Sequence, residues 1–262
     1  MGPPTAAHPA LVPFAPAKRR TAVVHGAPVE LVLVPERKAR HGRADAARPA
    51  FTRSPAARIV GEECLWQGDG FVLTPNRYPF AREQRILWPQ QPVREPDPAF
   101  WQVVFDWVAR SGGSALVNNV GAAATIGRAH AHLVPERLPF LEALPECELR
   151  TNPIDAPAAI RIAAKAVPFC LLGLRGPIAA RATAMILLAE ARMTATWNVV
   201  AYDDVVWICP RRCETPDPHF PYALGAAELW GRWCYMDDAP FEQASAGDLE
   251  AALALAGMPP LP

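Results

Sequence analysis

Two of the six histidines in the chain, His130 and His132, stand one residue apart in the run Asn119 to Glu136, NVGAAATIGRAHAHLVPE. In an extended strand residues i and i+2 point to one face, so the two imidazoles are expected to share a space. Such a pair suits either a metal ion or a nucleophile with its neighbour; the plain alternative is a pair of surface histidines on an edge strand. Neutral imidazole is nucleophilic near pH 7, carries a transferred group and leaves readily when attacked in turn. One hard displacement then becomes two easier ones, with no metal required.

Other residue types around the pair fit phosphate chemistry. Gly121 and Gly127 let backbone N–H groups approach a phosphoryl oxygen, or serve as plain turn glycines. Asn76 and Asn119 can hydrogen-bond ribose or phosphate, a use that competes with the ordinary turn role of Asn. Arg77 and Arg128 suit phosphate by charge and number of donors. Cys209, Cys213 and His219 form a fragment of a zinc motif, but Pro210 interrupts it and no second pair matches it. The six cysteines are scattered without a C-x-x-C pair, which fits reduced thiols.

Short elements must position these groups, because 30 prolines punctuate the 262 residues. Residues 1–20 read as a loosely held arm, 29–34 as a strand, and 38–58 as a long basic loop that is mobile or folded over a ligand. Strands follow at 70–80, ending in a Pro-bounded turn, and at 85–89. Residues 98–113 carry apolar side chains at helical spacing, with Gly112 and Gly113 to stop the helix. The run 115–119 returns as a strand, and 129–134 pairs beside it. Beyond a Pro-rich turn at 135–157, residues 166–174 read as buried and 176–193 as a helix opened by Pro177. A hairpin joins 197–202 to 205–208 through Asp203 and Asp204, and a small helix over 245–257 ends at Gly257. Neighbouring strands with short turns and a few separate helices imply an α+β fold with a mainly antiparallel sheet and flanking helices.

Formal net charge is zero, which excludes a generally basic nucleic-acid or membrane-surface binder. The charge is uneven: residues 18–58 hold ten Lys/Arg against three Asp/Glu, and 203–250 hold three against ten. Such a basic run is a solvated loop or the partner of a small anion such as a nucleotide. The amino terminus lacks a charged start followed by an apolar core, and no run approaches the roughly 18 apolar residues a bilayer span needs. A cytoplasmic protein is expected.

The motifs resemble the histidine-triad (HIT-like) superfamily in its nucleotidyltransferase and phosphorylase branch. That branch includes diadenosine tetraphosphate phosphorylases and galactose-1-phosphate uridylyltransferases, whose pattern is N-x-G, then G-A-S or similar, then H-x-H-x-Q. Asn119 and Gly121 stand eleven and nine residues before His130, the family's spacing. TPNRYPF resembles its N-x-[FY]-P segment, TWNVVAYDDVVWICPRR its segment ending in P-R, and YALGAAEL the glycine-bearing stretch that follows. The resemblance spans roughly residues 60 to 235 in the family's order. It implies a nucleotide cleft, His132 as the nucleophile that forms a nucleotidyl-histidine, and His130 as its organising neighbour. It also implies three segments: 1–58 (arm, strand and basic loop), 59–150 (the half with H-x-H) and 151–262 (a second half packed on the same fold). The expected ligand is a nucleotide or sugar nucleotide, with no nucleic acid or membrane partner, no required cofactor, room for a divalent metal, and a monomeric state.

Two positions depart from the pattern. Gly127 stands where the family has serine, and Val134 where it has glutamine. Loss of one positioned donor costs on the order of 10² to 10³ in rate, so these changes point away from phosphorolysis of a dinucleoside polyphosphate. A changed transferase, a hydrolase, a lyase or a non-catalytic nucleotide-binding protein fits them. A cupin-type metal enzyme is the alternative from another class. HAHLVPE also reads H-x-H-x₃-E, with His130, His132 and Glu136 at even spacing, although Pro135 strains that strand.

Overall fold

The computed structural model describes residues 2–41, 56–149, 152–191 and 196–261. Most of the basic loop expected at 38–58, and the segment boundary at 150 and 151, lie outside the described residues. Strands β1 (Lys18–Val24), β2 (Ala27–Leu33) and β13 (Arg232–Tyr235) form one small sheet, β2 running parallel to β13. The other strands are β3 (Trp66–Gly68), β4 (Phe71–Pro75), β5 (Arg85–Pro89), β6 (Ser114–Asn118), β7 (Ala131–Val134), β8 (Glu146–Cys147), β9 (Arg161–Lys165), β10 (Leu172–Arg175), β11 (Thr196–Tyr202) and β12 (Val205–Arg211). They form a ten-stranded sheet in the order β3-β4-β5-β7-β6-β11-β12-β10-β9-β8, each pairing antiparallel. The fold is α+β with a large antiparallel sheet and flanking helices.

Local chemistry sets the clearest elements. Helix Pro98–Ser111 starts where the Asp97 carboxylate accepts the Phe100 N–H at 2.8 Å and Pro98 fixes the first turn. It stops at Gly112, whose φ of 66° an L side chain adopts only under strain. Phe100, Trp101, Val104, Phe105, Trp107 and Val108 bury one face. That face and helix Ile178–Glu190 pack on one side of the ten-stranded sheet, against Leu87, Ala131, Leu133, Val199 and Val206. The opposite side meets the small sheet and the carboxyl-terminal helices through Leu116, Val134, Val200 and Trp207. β11 and β12 form the expected hairpin, with Asp203 in the left-handed region at φ 48°.

The first residues are not the loose arm expected. Arg85, 1% exposed, donates to the Pro4 and Ala6 carbonyls at 2.8 and 2.6 Å, and Arg110 to that of Pro3 at 3.0 Å. A Pro-rich stretch has carbonyls and few N–H groups of its own, so buried side-chain donors satisfy it. β1 then starts at Lys18, where no strand pattern is visible in the residues because its outer positions are charged and exposed. The charge asymmetry also has an intramolecular cause. Lys18 pairs with Asp238 and Glu242 at 2.8 and 2.7 Å, and Lys38 with Asp237 at 2.5 Å. The basic beginning of the chain docks on its acidic end. Among the described residues no helix is long and apolar enough to cross a membrane.

Candidate active site

β7 lies between β5 and β6, with His132 across from Ile86 on one side and Leu116 on the other. The β6–β7 register, carried one step beyond the pair Val117 and Ala131, sets His130 across from Asn118. His130, His132 and Asn118 line a cleft of about 430 Å³. The imidazole centroids are 5.2 Å apart with their planes at 81°, so the two side chains do share one space.

Each ring is held on two sides. His130 stacks on Trp88 at 4.7 Å, and its Nδ1 lies 2.7 Å from the Arg128 carbonyl. Trp88 is itself fixed by its Nε1–H, which donates to Thr74 Oγ1 at 2.9 Å. His132 meets the edge of Phe80 at 5.4 Å, and its Nδ1 lies 2.9 Å from Gln84 Nε2. Gln84 is buried, and its Oε1 accepts the Phe80 N–H at 2.8 Å. The histidines are 5% and 8% exposed, so only their cleft edges reach a ligand.

Asn118, which the N-x-G spacing passed over in favour of its neighbour, is the asparagine at the cleft wall. Its Oδ1 accepts from Asn198 Nδ2 at 2.7 Å and from the Ala226 N–H at 2.8 Å. Asn198 is fully buried and bonded in turn to Arg211, which also donates to the Leu224 carbonyl at 2.8 Å. With the oxygen committed to these donors, the Asn118 amide presents N–H groups at the cleft wall. Gly225 makes room for it: a Cβ there would come within 3.3 Å of Asn118 Oδ1 and 3.1 Å of Ala123 Cβ.

Of the other residues singled out in the sequence, Asn76 and Arg77 line the same cleft. Asn76 is 9% exposed and its Oδ1 accepts the Tyr78 N–H at 3.0 Å, which shapes the turn; Arg77 pairs with Glu63 at 2.5 Å on the rim. Asn119, Gly121, Gly127 and Arg128 sit outside the cleft lining. Asn119 Oδ1 accepts the Trp197 N–H at 2.8 Å. Gly121 has φ +89°, and a Cβ there would come within 2.5 Å of Thr196. Arg128 is buried and bonds the carbonyls of Pro89 and Gln90. These three secure the 119–128 loop to its neighbours, and Gly127 lies with Asn119 and Arg128 in a shallow crevice on the loop's other side. The loop meets the cleft instead through Ala123, Thr125 and Ile126.

The cleft also holds groups that no motif flagged. Arg37, 6% exposed, donates to the Tyr78 carbonyl at 2.5 Å and with Arg58 and Arg77 supplies the positive charge of this wall. Glu228 lies on its floor, where burial pushes the carboxyl above the usual carboxylate range while its Oε2 accepts the Gly225 N–H at 2.8 Å. Alternation from the histidine strand would have found Asn118 had the register been known; Glu228 sits three residues after Gly225 in the YALGAAEL stretch, the spacing of a capping box, while Arg37 and Gln84 carry no local signal.

The metal alternatives do not assemble. Glu136, the third ligand of the cupin-like reading, is bonded to Arg232 at 2.8 Å and to the Arg82 N–H at 3.0 Å. Burial pushes the Cys209 thiol up to about 12, which keeps it protonated, while His219 lies 3.6 Å from Asp248. Among the described residues no group of three or more His, Cys, Asp or Glu could hold a metal ion. Val134 is fully buried in the core with Phe80, Phe140 and Trp230, so it neither replaces a cleft donor nor makes room for a substrate group there.

No protein-family model matches the sequence, and no curated protein matches it either. Solved structures do resemble it. Yeast Ap4A phosphorylase Apa2 in complex with AMP superposes with a TM-score of 0.70 at 15% identity, covering 95% of this chain and 91% of that one. The same yeast enzyme in complex with Ap4A gives a TM-score of 0.69 at 12% identity, covering 96% and 93%. The two chains thus share their architecture nearly end to end, and the fold of this protein is that of the yeast enzyme.

Proposed function

We propose that the protein is an enzyme that cleaves a nucleotide phosphoester and transfers the nucleotidyl group by way of a cleft histidine. The observation that carries this reading is the imidazole pair, 5.2 Å apart in a cleft that also holds a fixed asparagine donor and three arginines. The shared fold with an Ap4A phosphorylase supports it. Imidazole displaces the leaving phosphate, and a phosphate, a sugar phosphate or water then displaces the imidazole. Arg37 and Arg77 offset the charge of the phosphate chain, and Asn118 donates to an oxygen that gains charge as phosphorus is attacked. The apolar wall of Ile59, Ile86 and Ile126 around Trp88 suits a base, and the volume suits one nucleotide. The pair works without a metal or cofactor in this scheme.

The Gly127 and Val134 departures do not by themselves decide among phosphorolysis, transfer and hydrolysis, because neither residue lines the cleft. Acceptor choice rests instead on the wall of Arg37, Arg58 and Arg77. A thermal-shift screen over AMP, dinucleoside polyphosphates and nucleotide sugars tests the proposal. A ligand at about 100 times its dissociation constant stabilises the fold by roughly 2.7 kcal/mol. Ligands that shift the midpoint are then incubated with phosphate, a sugar phosphate or buffer, and products are separated. Binding without turnover in any of the three arms would reduce the reading to a nucleotide-binding protein.

A further inference from the structure

Two carboxylates stand at the end of helix Ala56–Glu62, and the chain treats them differently. Glu62 points to solvent, its side chain 58% exposed, and pairs with Arg58 one turn earlier at 2.9 Å. Glu63 lines the cleft, with its side chain 13% exposed. Its N–H donates to the Ile59 carbonyl at 2.9 Å, so it sits one helical turn beyond Ile59 on the same face. Ile59 in turn packs on Ile86 and Trp88 in the apolar wall that suits a base. A flat ring laid on that wall turns one edge to the Glu63 carboxylate.

An anion in a phosphate-binding cleft repels its ligand unless the ligand brings donors to it. Arg77 Nη2 lies 2.5 Å from Glu63 Oε1 and offsets part of that charge. Oε1 is nevertheless shielded from solvent and accepts no well-aligned hydrogen bond from any described residue. A buried acceptor in that state costs free energy that a ligand donor recovers. A carboxylate only accepts, and its two oxygens lie side by side. It therefore selects a base by donors on adjacent atoms of one edge. Guanine has such a pair, the ring N1–H and the exocyclic N2 amino group. Adenine offers its N6 amino group beside a ring nitrogen whose lone pair repels the second oxygen, and cytosine does the same with N4 and N3. Uracil offers N3–H between two carbonyls that repel both oxygens.

Resting on the functional reading above, we infer that Glu63 reads the base, and that the cleft takes a guanine nucleotide in preference to an adenine, cytosine or uracil nucleotide. The guanine N1–H and N2–H groups each donate to one Glu63 oxygen, while Arg77 holds the carboxylate in place from the rim. A carboxylate oxygen carries two lone pairs, so Oε1 serves Arg77 and the base together. Neither bond touches the reacting phosphorus. Glu63 thus sets which nucleotide enters the cleft, not how it is cleaved.

Isothermal titration of the full chain with GMP, IMP, AMP and UMP tests the inference, because ribose and phosphate stay constant and only the base changes. GMP is expected to bind about tenfold or more tighter than AMP and UMP, since hydrogen bonds to a charged group are the strong kind. IMP lacks only the N2 amino group and is expected to lose most of that preference. Glu63→Gln keeps the size of the side chain but replaces one acceptor oxygen with a donor. The variant is expected to weaken GMP about tenfold and to leave AMP within about threefold of wild type. AMP binding as tightly as GMP, or a variant that keeps the guanine preference, would overturn the inference and leave the functional reading standing. No binding of any of the four at millimolar concentration would overturn the functional reading, and the inference with it. The comparison of GMP with IMP uses the unaltered chain, so it decides the matter even if the substitution impairs folding.

Discussion

The two faces of the ten-stranded sheet are built on one backbone ladder and held together differently. Along β7, Ala131 and Leu133 enter the helix-side core with Trp101, Val104 and Phe105, while His132 turns to the cleft from the other face. The helix side is stabilised by buried apolar area, which is roughly additive and indifferent to direction. On the cleft side nearly every functional group has a named partner: Asn118 has Asn198 and Ala226, His132 has Gln84, His130 has Trp88 and Arg128. Apolar packing there would serve stability as well, so the polar partners are explained by the need to fix donors and lone pairs in place.

The comparison predicts different failures on the two faces. The largest effect is on the helix side: Trp101→Ala, at a 2% exposed position, is expected to cost about 3–5 kcal/mol of stability. Chemical denaturation reads the loss, and turnover per folded molecule at low temperature should stay near wild type. On the cleft side Asn118→Ala should do the reverse, lowering kcat on the order of 10² with a stability loss of about 1 kcal/mol. Equal losses of stability and rate in either variant would erase the distinction between the faces.

Smaller effects sharpen the border. Val134→Gln places an amide in the fully buried position between Leu116 and Trp230, and should cost about 1–3 kcal/mol without raising phosphorolysis. A gain in phosphorolysis would restore Val134 to the site. Glu228→Gln tests the buried carboxyl of the cleft floor. Its folded-state pKa is raised above the unfolded value, so its favourable contribution is complete below the unfolded value and lost as pH rises through the folded one. The variant, which can still accept the Gly225 N–H, should therefore melt higher than wild type at neutral pH. That advantage should shrink as the pH falls toward the ordinary carboxylate range.

How much of this was readable in the residues depends on how local the signal is. Helix Pro98–Ser111 carries its own cap, stop and apolar stripe, and the β11–β12 hairpin carries its own turn, so both were legible. His130 and His132 share a face by strand alternation alone. The choice between Asn118 and Asn119 was not legible, because it depends on the β6–β7 and β6–β11 registers, which join residues far apart in the chain. Motif spacing pointed to Asn119, and the structure puts that residue to work holding Trp197. Gln84 was missed for a similar reason: its role exists only because Phe80 takes its oxygen and β5 pairs with β7. β1 was missed because the charges that hide its pattern are the ones that bind the carboxyl-terminal segment.

The central claim is that nucleotide chemistry belongs to the cleft face. Titrating the isotope-labelled chain with AMP and following side-chain and backbone resonances tests it most directly. The account predicts shifts at His130, His132, Asn118 and Asn76, with Trp101 and Trp197 in the crevice of the helix face unmoved. Shifts confined to that crevice, or none on the cleft face at millimolar AMP, would contradict it.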